Sequence, residues 1–101
     1  MSEDFPSVSS IDKLIHEPAR LLLMANLYVV ENADFLYLMT QTGLSFGNLS
    51  SHMSKLESAG FIKVDKEFVE KKPVTRLSLT DEGRSAFNDY KARMKHLFSE
   101  L

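Results

Sequence analysis

Apolar positions recur every three to four residues from about residue 10 to 60, alternate with polar ones from 61 to 79, and return to the longer period from 80 onward. Residues 1–9 carry neither period and are expected as a loose arm. A short helix is expected from Ser10, with Ile11, Leu14 and Ile15 as its apolar side. It stops before Pro18, because proline pushes its predecessor out of the helical region. Pro18 then suits the first turn of the next helix, where its missing N–H costs nothing. Residues 18–30, PARLLLMANLYVV, are apolar around most of a helix. Such a helix is central to a core, or faces a second chain as well. Asn32 and Asp34 supply a break and an N-cap for a short helix over 35–42, FLYLMTQT, which Gly43 ends.

Ser45 caps a further helix that closes at Gly60, and Leu49, Met53 and Leu56 form its apolar stripe. The alternating stretch then reads as a hairpin. Phe61, Ile62 and Val64 lie in one strand and Val74–Leu79 form the other. Phe68–Pro73 is expected as a mobile tip, since Pro73 cannot donate to a central ladder. Thr80 caps the last helix, with Asp81 and Glu82 in its first turn, where the helix dipole favours carboxylates. Phe87, Tyr90, Met94, Leu97 and Leu101 follow at heptad spacing. That seam predicts self-association, with a fold-back onto its own domain as the alternative.

The helix after Ser45 has an unusual outer face. At about 100° per residue, Gly47, Ser51, Ser54 and Ser58 point away from the apolar stripe, flanked by Asn48, Ser50 and Lys55. Solvated helix faces are ordinarily filled by Glu, Lys and Gln, which keep their rotamer freedom. Ser, Asn and Gly are poor helix formers, so their concentration here points to close approach to another surface. A major groove admits a helix with small polar side chains reaching base edges.

Composition and charge narrow the classes. The chain has 101 residues, enough for one domain with a modest core. It has no cysteine, which excludes disulfides and thiolate metal sites and fits a reducing cytoplasm. The longest apolar run, Leu21–Ala25, is too short for a bilayer, and the start MSEDFPS lacks the basic residues of a signal peptide; no membrane role is expected. Net charge is −2, but it is unevenly spread. Residues 1–35 carry −4, whereas residues 61–79, with Lys63, Lys66, Lys71, Lys72 and Arg76 against Asp65, Glu67 and Glu70, carry +2. The only positive block follows the serine-rich helix directly, so any binding to a polyanion is expected to be modest and salt-sensitive.

Helix, short Gly-containing turn, Ser-capped helix and hairpin form a helix-turn-helix with a wing. TGLSFGNLSSHMSKLESAGFIKV, followed by a hairpin and LSLTDEGRSAF, resembles the winged-helix transcriptional regulators of the MarR and ArsR type. The motifs that carry the resemblance are Ser50–Ile62 and Leu79–Arg84, and with the hairpin they cover over half the chain. The resemblance implies a mainly α fold with a small antiparallel hairpin, an α+β winged helix-turn-helix. It implies a core over 10–79 with a recognition helix at 45–59 and a wing at 61–79, and a dimerisation helix over 80–101. It implies a homodimer on double-stranded DNA, probed by Ser45, Gly47, Asn48, Ser51, Ser54 and Lys55 in the major groove, and by Lys71, Lys72 and Arg76 from a wing that reaches the neighbouring backbone or minor groove. Asn48 is the candidate for a base edge, since Asn pairs bidentately with adenine, while Lys55 and Lys71 suit phosphates. The recognition helix has no Arg, so the commonest guanine contact is missing and readout of DNA shape is favoured. A winged-helix adaptor between proteins is the alternative, motivated by the same missing Arg and the acidic total.

Other chemistry finds little support. The histidines, His16, His52 and His96, are not paired on one helix at ligand spacing. His52 lies about 60° from the apolar stripe, at the edge of the core, and is expected to be structural. A cross-subunit site from His96 with Asp89 or Glu100 is the one metal arrangement conceivable. No nucleophile with a neighbouring base and no Gly-rich phosphate loop is present, so neither an enzyme nor a cofactor is expected. The resemblance also implies a small aromatic effector, for which Tyr28, Phe35, Tyr37 and Tyr90 are candidate contacts; core packing is the commoner fate of such side chains.

Overall fold

The computed structural model describes residues 7–101, and the first six residues of the expected arm lie outside it. A 3₁₀ turn at Val8–Ser10 leads to α1 (Pro18–Val29), β1 (Ala33–Asp34), α2 (Phe35–Thr42), α3 (Phe46–Ser58), β2 (Ile62–Val69), β3 (Lys72–Leu79) and α4 (Asp81–Ser99). The expected helix from Ser10 to Pro18 does not form. The Asp12 carboxylate accepts from the N–H groups of Leu14 and Ile15, at 2.9 and 3.3 Å, and bends the chain into a turn instead. Ile15 is nevertheless fully buried, so this segment anchors to the core without a helix.

The remaining helices start and stop where their caps dictate. Glu17 accepts from the Arg20 N–H ahead of Pro18 at α1, Asp34 from the Tyr37 N–H at α2, Ser45 from the Asn48 N–H at α3, and Thr80 from the Gly83 N–H at α4. Gly43 closes α2 at φ 73° and Gly60 follows α3 at φ 80°, conformations that glycine adopts without a Cβ penalty. At the second, Gly60 N–H donates to the Glu57 carbonyl and Phe61 N–H to the Leu56 carbonyl, a paired closure that turns the chain sharply into β2.

The core lies where α1 crosses the other elements. Leu23, Met24 and Leu27 of α1 are fully buried with Leu38 of α2, Leu49 and Leu56 of α3, and Leu77 of β3. α1 is therefore the central helix, although Leu22 and Val29 remain exposed on its outer side. The sheet has three strands in the order β1-β3-β2, all antiparallel. β1 is two residues long and pairs Ala33 with Leu77 and Asp34 with Arg76, a contact too short to leave any periodicity in the sequence. The hairpin is longer and tighter than expected. Paired strand runs out to Val69 and resumes at Lys72, leaving a two-residue turn at Glu70–Lys71 where a six-residue tip was expected. Pro73 pairs with Phe68 beyond the reach of β1, so its missing N–H faces an open edge.

Candidate nucleic-acid interface

α3 is fixed from behind by Leu49 and Leu56, and Met53 is half-buried beside them. Its opposite face is open: Ser45, Gly47, Asn48, Ser51, Ser54, Lys55 and Ser58 are all exposed. The small side chains of this face therefore cover no core. At the flank of α3, His52 is half-buried and its Nδ1 accepts from the Arg20 guanidinium at 3.1 Å, while the Arg20 Nε–H holds the Leu14 carbonyl. Glu17 lies 4.0 Å from the same imidazole nitrogen. Arg20 thus ties the start of α1 to the flank of α3, and His52 serves that join. The Glu17 carboxyl is held below the usual carboxylate range, chiefly by the Arg20 N–H it caps and further by Ala19, His52 and the Arg20 charge, although desolvation opposes the shift.

The wing stands beside this helix. Paired residues of β2 and β3 share a face, so the inner face of the ribbon runs outward as Ile62 with Leu79, Val64 with Leu77, Lys66 with Thr75, and Phe68 with Pro73. Between that face and α3 lies a cleft of about 350 Å³, lined in part by Phe35, Phe46, Met53, Lys66, Pro73 and Thr75. Lys71 and Lys72 are exposed at the tip, as an electrostatic grip requires. Arg76, expected to act with them, sits lower on the ribbon. Its Nε–H donates to the Glu67 carboxylate, and its cross-strand partners are Asp65 and Asp34. The Glu67 carboxylate thus compensates its charge, and Lys71 and Lys72, with Lys66 on the inner face, are exposed cations of the wing.

Other expected positions separate. Phe87 and Tyr90 belong to the core of their own chain, where Tyr90 also bonds His16 at 2.8 Å. Burial pushes the Tyr90 phenol up. Met94 and Leu97 are half-buried, and Leu101 is 86% exposed. The heptad seam is thus divided: Phe87, Tyr90 and, partly, Met94 pack on their own core, and Leu97 and Leu101 lie toward the helix end. The aromatic set does not converge. Tyr28 lies under Lys91 and Arg84, at 4.0 and 4.7 Å, and donates to Asn88; hydrogen bonding and charge from Lys91, with a smaller effect of Arg84, hold its phenol below the usual range. Phe35 packs on Phe46, Tyr37 is exposed and Tyr90 is internal. Of the candidate metal set, His96 approaches Glu100 at 3.8 Å and Asp89 is held by Arg93.

Three exposed apolar side chains border the interface. Leu36 and Phe46 are 72% and 65% exposed where α2 and α3 begin, and Phe68 is 77% exposed near the wing tip. The signal was present for Phe68 alone: continuing the alternation of Ile62 and Val64 puts it on the inner face.

Known proteins are similar in sequence and in fold. An uncharacterized protein of Methanocaldococcus jannaschii is 35% identical over 78 residues, which are 77% of this chain and 85% of that one. The structure of a transcriptional regulator homologue from Pyrococcus horikoshii superposes with a TM-score of 0.82 at 28% identity, over 87% of each chain. A MarR family transcriptional regulator from Silicibacter pomeroyi shares the fold, with a TM-score of 0.64 at 20% identity over 85% of this chain and 55% of its own. No described helix is long and apolar enough to cross a membrane. The family model for the winged helix DNA-binding domain matches residues 19–98, and the chain belongs to that family.

Proposed function

We propose that this protein is a homodimeric transcriptional regulator that binds double-stranded DNA, laying one α3 per subunit in the major groove and a wing on the neighbouring backbone. The observation that carries the reading is the open serine face of α3 beside a hairpin tipped by Lys71 and Lys72. Small hydroxyls let the helix backbone approach base edges closely, and Asn48 in the first turn is the residue placed to read one. Lys55, Lys71 and Lys72 supply the phosphate contacts. A dimer seated on its site excludes other proteins from that stretch of duplex, and repression is the regulatory sense that follows.

Titration of duplex DNA at two salt concentrations tests the reading. Affinity that falls steeply with salt is expected, with Lys71→Ala and Lys72→Ala each lowering the slope by about one and weakening binding to all sequences alike. Asn48→Ala is expected to weaken binding to selected duplexes while leaving unselected ones nearly unchanged. Absence of binding at low salt, or binding indifferent to salt, overturns the proposal.

A further inference from the structure

We propose that Phe68 is an apolar wedge that enters a base step in the minor groove, so that the protein selects its sites through DNA deformability; this rests on the DNA-binding reading above. Phe68 is 77% exposed on a strand whose inner face carries Ile62, Val64 and Lys66 before it. It shares that face with Ile62 and Val64, the face that meets α3 across the cleft lined by Phe46 and Met53. Opposite it stands Pro73, so the outermost inner rung is an apolar pair rather than a polar one. Lys71 and Lys72 lie just beyond, placed to hold phosphates while the ring is inserted. Glu70, at the turn, opposes them with one negative charge, and Glu67 is occupied by Arg76.

Two further observations favour this occupant over a solvated aromatic. A wing that only gripped phosphates would have no use for an exposed phenyl ring, whose solvation is unfavourable. α3 carries no Arg, so base-edge readout is weak there and specificity needs a second source. Inserted Phe side chains unstack one step and kink the duplex, and flexible pyrimidine–purine steps such as TA yield most easily.

The test uses the full chain and two short duplexes, one with central TA steps and one built from stiff A-tracts. Affinity, bending by energy transfer between the duplex ends, and the fluorescence of 2-aminopurine placed in the TA step are measured. The wild type is expected to favour the TA duplex, bend it and raise the 2-aminopurine signal. Phe68→Ala is expected to bind the TA duplex roughly tenfold more weakly, with the salt slope unchanged and both the bend and the signal lost. Phe68→Leu, a smaller wedge, is expected to retain part of each. Lys71→Ala is expected to lower the slope and keep the signal. Binding by the wild type without a 2-aminopurine change, or a Phe68→Ala protein that bends and discriminates like the wild type, overturns the wedge and leaves the DNA reading standing. Failure of the wild type to bind either duplex overturns the DNA reading itself and, with it, the wedge.

Discussion

Gly83 shows how one residue locks the end of the domain to its middle. A Cβ built there would stand 1.9 Å from the Phe61 carbonyl oxygen, which is backbone and cannot move aside alone. The start of α4 is therefore pressed onto the junction between α3 and β2. Thr80 completes the join: its N–H donates to the Phe61 carbonyl, its hydroxyl donates to the Gly60 carbonyl, and the same oxygen caps the Gly83 N–H. The short motif Thr80–Gly83 is thus a clasp holding the wing root, the end of α3 and α4 in one arrangement. Gly83→Ala is expected to cost about 3 kcal/mol, lowering the melting temperature by roughly 10–20 °C in thermal unfolding. Glu17 acts at the same scale. A carboxyl held below its usual range contributes stability that is complete above that range and lost as pH falls through the folded value. Glu17→Gln is expected to lower stability at neutral pH and flatten the acid side of a stability–pH profile, measured by denaturant unfolding, so that the two proteins converge at low pH.

At the scale of elements, the wing turn carries the clearest cost. Glu70 and Lys71 have φ of 52° and 67°, the two left-handed positions of a hairpin turn that ordinarily takes Asn-Gly. Each strained residue costs on the order of 1 kcal/mol, and strain of this kind collects where function requires it. Keeping a lysine at the tip explains the second position; no such gain attaches to the glutamate. Glu70→Asn is accordingly expected to stabilise the protein by about 0.5–1 kcal/mol and, by removing a carboxylate from the tip, to tighten DNA binding. Lys71→Gly is expected to stabilise as well but to weaken DNA binding, measured in the same titration. These elements also show which parts of the fold were legible. Helices α2, α3 and α4 could be read because each boundary is set by one local cap: Asp34, Ser45 or Thr80 at the start, Gly43 or Gly60 at two of the ends. The open face of α3 followed from helical spacing alone. The segment before Pro18 was misread because the Asp12 side chain competed with the helix, and spacing carries no record of such competition. β1 depends on a strand distant in sequence, which no local pattern reports, and the pairing of Arg76 with Glu67 depends on the hairpin register, which the expected six-residue tip missed.

At the scale of the whole molecule, the fold is elongated in one direction. It extends 60 × 25 × 21 Å and its radius of gyration is 15.3 Å, against about 13 Å for a compact domain of this length. The wing and the far half of α4 account for the excess, since both leave the core. On α4, burial tapers: Phe87 and Tyr90 are core residues, Met94 and Leu97 are half-buried, and Phe98 and Leu101 are 61% and 86% exposed. An amphipathic helix that outlives its own core leaves an apolar stripe in water, and a second copy offers the same stripe in the same place. In the proposed homodimer, pairing of the two stripes about a two-fold axis would bury both and set two α3 helices at a fixed separation, as a two-fold DNA site requires. Because such a dimer is stabilised by mass action, the melting temperature of the wild type is expected to rise with protein concentration. Leu97→Lys combined with Phe98→Glu is expected to abolish that dependence, sediment as a monomer and weaken DNA binding more than tenfold, while the circular dichroism of the folded domain stays close to that of the wild type. Sedimentation of the wild type as a monomer at tens of micromolar, roughly the weak end of a specific association, removes the dimer and leaves each α3 to bind alone.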